Sequence, residues 1–136
     1  IARRAQQKNV NTFSPSLAAR IELALSVTDK KSDDVAISAN IYNLIGAGVN
    51  TIESVPAAIA MVDLAQTDPA RCAELCANLG GDTDTIGAMA TAICGAIASI
   101  DRFDATTLQR LKTANEVDFE SYAKKFSAYR SARRVR

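Results

Sequence analysis

Asp82 and Asp84 stand one residue apart, each followed by a threonine (Thr83 and Thr85), directly after the glycine pair Gly80-Gly81. Two carboxylates and two hydroxyls in four consecutive residues concentrate hard oxygen donors, the kind that suits Mg²⁺, Mn²⁺ or Ca²⁺ and does not favour zinc. Like charges held this close raise one another's pKa unless a cation neutralises them. The same residues open a run of small apolar side chains from Ile86 to Ile100. They therefore also stand where aspartate and threonine cap a helix and complement its dipole. A single Asp or Thr suffices for capping, so the surplus charge calls for a reason. From spacing alone, a metal site and an over-decorated cap both stay open.

Other chemistries fall away. Asp82, Asp84 and Gly87 match positions 1, 3 and 6 of a calcium loop, but positions 5 and 12 would be Ile86 and Ile93, which offer no side-chain oxygen. The "GAG" of Gly46 to Gly48 follows a helical pattern and lacks the third glycine of a dinucleotide fingerprint. The chain has no His, so no Ser-His-Asp triad, Cys-His pair or His-rich metal site can be completed from it. Its three cysteines, Cys72, Cys76 and Cys94, have no scaffold-like spacing and read as reduced core residues of a cytoplasmic protein.

The elements that must position the aspartates are helical. "SLAARIELALSV" places Leu17, Ile21, Ala24 and Leu25 at helical spacing. The next pattern has Ser32 as its expected cap, Asp33 and Asp34 in the first turn, an apolar face of Val35, Ile37, Ile41, Leu44 and Ile45, and Gly46 past its end. "TIESVPAAIAMVDLAQ" offers Ser54 as a cap with Pro56 in the first turn. Asp68-Pro69 starts a further helix that stops at Gly80-Gly81, and the next is expected over Thr85 to Ile100. The last two start near Asp104 and Asp118, with Leu108, Leu111, Phe119, Tyr122 and Phe126 on their inner faces. Residues 1–16 are polar, lack periodicity and read as a connection. No stretch alternates like a strand, and aromatic residues are only 5% of the chain, so the fold class is all-α. A compact orthogonal bundle is expected around the helix rich in Gly87, Ala88, Ala90, Ala92, Gly95, Ala96 and Ala98.

At 136 residues the chain has room for one core. Its longest apolar run is shorter than the roughly 18 residues of a membrane span, and no secretory signal opens it. A net charge of +1 hides an acidic middle, where only Arg71 and Arg102 offset the acids from Asp33 to Asp104. The tail, with Lys124, Lys125, Arg130, Arg133, Arg134 and Arg136, is basic. Without an aromatic-interleaved groove it reads as a solvated face, and nucleic acid is not an expected partner.

"NLGGDTDTIGAMATAICGA", residues 78–96, closely resembles the C-terminal signature of the ADP-ribosylglycohydrolase family, which includes dinitrogenase reductase-activating glycohydrolases. The preceding "GVNTIESVPAAIAMVDLAQTDPARCAELCA" resembles the two helices that lead into that signature, and "ANEVDFESYAKKFSAYR" the end of many members. The resemblance implies an all-α fold around two divalent cations, Mg²⁺ or Mn²⁺, and cleavage of the C1″ glycosidic bond of ADP-ribosylated proteins or small ADP-ribosyl substrates. It further implies that Asp82 ligates one cation, Asp84 bridges both and Thr85 adds its hydroxyl, while Gly80 and Gly81 let the backbone approach the substrate ribose.

The family's remaining ligands come from an N-terminal Thr-Asp-Asp type segment, which this sequence lacks. "SDDV" at Ser32 to Val35 reads as an ordinary helix start. Residues 1–136 are therefore expected to form the C-terminal portion of a single all-α domain, with the missing N-terminal portion as partner. Alone, the chain is expected to bind cations weakly and to be inactive. The alternative is a non-catalytic structural or regulatory helical protein that retains the fold.

Overall fold

The computed structural model describes residues 15–28 and 32–134, so most of the stretch read as a connection lies outside the described residues. In chain order the helices are α1 (Leu17–Ser26), α2 (Asp34–Asn40) continued by a π-turn (Ile41–Ile45), α3 (Thr51–Leu64), α4 (Pro69–Leu79), α5 (Thr83–Ala98), a 3-10 turn (Ile100–Arg102), α6 (Ala105–Asn115) and α7 (Phe119–Arg134). Among the described residues there is no strand, and the all-α expectation holds. The chain groups into two units that divide after Arg102.

Aspartates start most of these helices. Asp33, Asp68 and Asp104 accept the N–H groups of Ala36, Arg71 and Thr107 at 2.7, 2.8 and 2.7 Å. Asp118 takes the Ser121 N–H at 3.1 Å. The cap of α2 is thus Asp33 and not Ser32, because its carboxylate reaches the third helical N–H. Helix α3 begins a turn earlier than expected. The Asn50 carbonyl accepts from Glu53 N and Ser54 N at 2.8 and 2.9 Å, which leaves Ser54 buried inside the helix and Pro56 in its second turn. Replacing Asp68 by Ala removes the cap of α4 and should lower stability by about 1 kcal/mol, checked by urea denaturation. The longer ion pair from Arg102 to Asp68, 3.8 Å and well exposed, adds little to that cost.

In the first unit α3 packs against α1 and α5, and α4 packs against α5. Helix α3 is the most extensively buried, with Ala57, Ala58, Ala60 and Met61 at its centre. Helix α5 is covered on one face: Ile86, Ala90 and Cys94 are buried, while Ala88, Ala92, Ile93, Ala96 and Ile97 are exposed. The expected apolar face of α2 and the π-turn is only partly buried. Ile37, Ile41 and Ile45 are buried, but Leu44 and Val35 are 54% and 80% exposed. A π-turn holds more residues than an α-turn, so Ile45 follows Ile41 on the buried side and Leu44 swings outward. Arg20 of α1 donates to the carbonyls of Leu44 and Ile45, tying off the end of the π-turn. On α1 itself the buried residues are Ala18 and Ala24, and Leu25 faces solvent. Across the first unit, the Arg71 guanidinium meets both Asp34 oxygens at 2.8 and 2.9 Å and joins α4 to α2.

The second unit holds α6 and α7 with the starts anticipated at Asp104 and Asp118. Their expected inner face is largely solvated: Leu108 is half-buried, whereas Leu111, Phe119, Tyr122 and Phe126 are exposed. Lys125 lies 5.7 Å over the Tyr122 ring and Arg133 5.5 Å over the Tyr129 ring, cation–π contacts within α7 itself.

Candidate metal centre

The glycines end α4 and aim the chain into α5. Gly80 and Gly81 adopt φ of +86° and +72°, after which Asp82 occupies the cap position of α5. The Asp82 N–H donates to the Ala47 carbonyl at 2.7 Å, which binds this turn to the loop between the π-turn and α3. Gly81 packs against that same carbonyl, so closely that a Cβ there would lie 2.2 Å from the oxygen. Gly80 lies beside the Tyr42 ring and on the rim of an open groove of about 960 Å³ between α2 and α4.

Asp82 differs from the other aspartates at helix starts. Its side chain makes no capping hydrogen bond, and its backbone (φ −83°, ψ 59°) departs from the extended conformation of Asp33, Asp68 and Asp104. Hydrogen bonding with the Asp82 side chain, and then with the backbone N–H groups of Thr85 and Asp84, holds the Asp84 carboxyl below its ordinary range. Asp84 and Thr85 are both exposed on the first turn of α5. Asp82, Asp84 and Thr85 of the sequence-derived set thus lie together at the start of α5. Among the described residues no three or more Asp, Glu, Cys or His side chains gather where they could hold a metal ion.

The remaining titratable candidates have structural duties. Asp33 caps α2 and Asp34 pairs with Arg71, which takes "SDDV" out of the site. Cys72, Cys76 and Cys94 are free thiols, all buried. Hydrogen bonding to Cys76 and burial push the Cys72 thiol up, and burial with Cys72 contact pushes Cys94 to about 12. The matching hydrogen bond from Cys72 lowers Cys76, which nonetheless has no route to solvent. None is placed as a nucleophile. Sequence reasoning missed the loop at residues 46–50 and Glu53 beneath it. The signal was the Gly46-Ala47-Gly48 spacing, which excluded a nucleotide fingerprint but could not show what the glycines let in.

The model of one known family, described as ADP-ribosylglycohydrolase, matches residues 2–135. This chain belongs to the ADP-ribosylglycohydrolase family. It is 56% identical over 133 residues to a protein of Escherichia coli strain K12 designated uncharacterized protein YegU, an alignment covering 98% of this chain and 40% of that protein. The chain thus spans about 40% of the length of the curated relative it matches. No solved structure matches it. The all-α fold agrees with that family, and among the described residues no helix is long and apolar enough to cross a membrane.

Proposed function

We propose that this chain supplies the C-terminal half of a dinuclear cation site in a metal-dependent hydrolase that cleaves the C1″ glycosidic bond of ADP-ribosylated proteins or small ADP-ribosyl molecules. The observation that carries the reading is that Asp82 stands at the start of α5 with a carboxylate that caps nothing, two residues before the exposed pair Asp84-Thr85. Family membership sets the class of reaction. The donors fit a hard divalent cation by chemistry: two carboxylates and a hydroxyl, with no nitrogen or sulfur ligand among them. Asp82 would hold one cation, Asp84 both, and Thr85 would add its hydroxyl. Bound Mg²⁺ or Mn²⁺ supplies Lewis-acid charge that orients ribose hydroxyls and makes a water more acidic.

The chain's own residues do the positioning. Asp84 would meet a cation as an exposed, ionised carboxylate on the first turn of α5. Gly80 and Gly81 keep side chains away from the turn on which the ribose is to sit. In the net reaction the bond from C1″ to the leaving group breaks, water adds its oxygen to C1″, and its proton leaves with the departing group. The other ligands and the substrate-selecting loops belong to an N-terminal portion, which is the partner this reading requires.

The test is turnover of ADP-ribosyl-arginine and ADP-ribosyl-serine peptides by the complete family-length protein. Mg²⁺-dependent release of ADP-ribose, lost on chelation, is expected from it. Residues 1–136 alone should bind Mn²⁺ weakly and release none. Turnover by the purified, partner-free chain would refute the shared site, and an inert complete protein would favour a scaffold role.

A further inference from the structure

One peptide group links the carboxylate turn to the body of α3. It joins Ala47 to Gly48, and both of its polar atoms are engaged. Its carbonyl accepts the Asp82 N–H at 2.7 Å, and its N–H donates to Glu53 Oε2 at 2.9 Å. The carbonyl and N–H of a trans peptide point in opposite directions from one plane. Glu53 and Asp82 therefore grip that plane from opposite edges. A carboxylate on the N–H side also polarises the peptide and strengthens its carbonyl as an acceptor.

The ordinary role of Glu53 would be different. It is the third residue of α3, where a glutamate complements the helix dipole or reaches back to the N–H of the cap residue, here Asn50. The side chain passes that N–H and bonds Gly48, two residues earlier. The loop is shaped for it. A Cβ at Gly46 or Gly48 would lie 2.6 or 2.7 Å from Glu53 Oε2, so the chain curls around the carboxylate at both positions. Ala47 is buried between them at 4% exposure, whereas Val49 just beyond is 79% exposed. The loop is thus anchored at Ala47 in the core and by this clamp beside it.

We infer that Glu53 is a positioning residue for the Asp82–Asp84 turn, acting through the Ala47–Gly48 peptide. It holds the acceptor that fixes the Asp82 backbone in the conformation that keeps its carboxylate off the helix cap. The consequence for cation binding rests on the reading of those aspartates as ligands; the clamp does not.

The test compares Glu53→Ala, Glu53→Asp and Glu53→Gln in the 136-residue chain by amide hydrogen exchange. Glu53→Gln keeps an oxygen that can accept the Gly48 N–H and should leave Asp82 protected. Glu53→Asp keeps the charge but is one methylene too short, and Glu53→Ala removes the acceptor. In both, exchange at Asp82 should accelerate roughly tenfold or more relative to the amides of Met61 and Ala90, which report opening of the core. In the complete protein the same two variants should lose roughly 10–100-fold in Mn²⁺ affinity, the scale of an outer-shell change, while Glu53→Gln stays near the parent. Unchanged Asp82 exchange, or acceleration matching that of Met61 and Ala90, overturns the clamp. Should Asp82 respond to Glu53 while Asp84→Asn leaves Mn²⁺ binding intact, the clamp stands and the cation reading fails.

Discussion

Asp84→Asn is expected to abolish Mg²⁺- or Mn²⁺-dependent turnover in the complete protein and to weaken cation binding by more than the roughly 10–100-fold of an outer-shell change. Asn keeps the size of the side chain and removes its charge. The parent carboxylate is exposed on the first turn of α5, so its loss opens no cavity. The side chain is exposed and Asn is isosteric, so folding stability should move by no more than about 0.5 kcal/mol. Loss of binding with an unmoved melting temperature separates a ligand from a helix-start residue. Isothermal titration with Mn²⁺ beside a thermal melt gives both numbers, and unaltered affinity would dismiss Asp84 as a ligand. The pH dependence has a definite sign. The Asp84 carboxyl is held below its ordinary value, so it stays charged across the neutral range and its contribution to binding is lost only as pH falls through the acid range.

What could be read from the sequence was whatever neighbours in the chain decide. Asp68-Pro69, Asp104 and Asp118 mark helix starts because a capping carboxylate needs only an N–H three residues on. Gly46 and Gly80 mark stops for an equally local reason. The fold class and the burial of all three cysteines followed from composition and spacing. The π-turn did not, because the helical spacing of Ile37, Ile41, Leu44 and Ile45 looks the same until the ladder slips and turns Leu44 outward. Ser54 resembled a cap because Pro56 fits the first turn that would follow it, but the Asn50 carbonyl starts the helix. The exposed faces of α5 and α7 show the limit of pattern: periodicity tells which residues share a face, and only packing tells whether anything covers it. At the site the donor types were legible in Asp82, Asp84 and Thr85. The Ala47–Gly48 peptide that holds them is a contact across more than thirty positions of chain, beyond any local signal.

Gly81→Ala should destabilise the chain by about 3 kcal/mol or more, although it adds a single methyl group. Two costs combine. The left-handed backbone at φ +72° costs an alanine about 1–2 kcal/mol. The new Cβ would then stand 2.2 Å from the Ala47 oxygen and 3.0 Å from the Ala47 carbonyl carbon, and these are backbone atoms with no rotamer to yield. Relief requires the two loops to separate, which stretches the 2.7 Å bond from Asp82 N–H to Ala47 and removes about 0.5–1.5 kcal/mol more. Gly87→Ala is the control. Its Cβ would meet the Cys76 Cβ at an ordinary 3.5 Å inside α5, where alanine is worth up to about 1 kcal/mol over glycine. Urea denaturation should therefore move the two variants in opposite directions, or leave Gly87→Ala in place while Gly81→Ala falls. Equal midpoints would mean that the 80–82 turn and the 46–48 loop do not touch in solution. In that case neither the clamp from Glu53 nor the rigid presentation of Asp82 would survive. A large loss at Gly81 alone would locate the rigidity of the carboxylate turn in that single backbone contact.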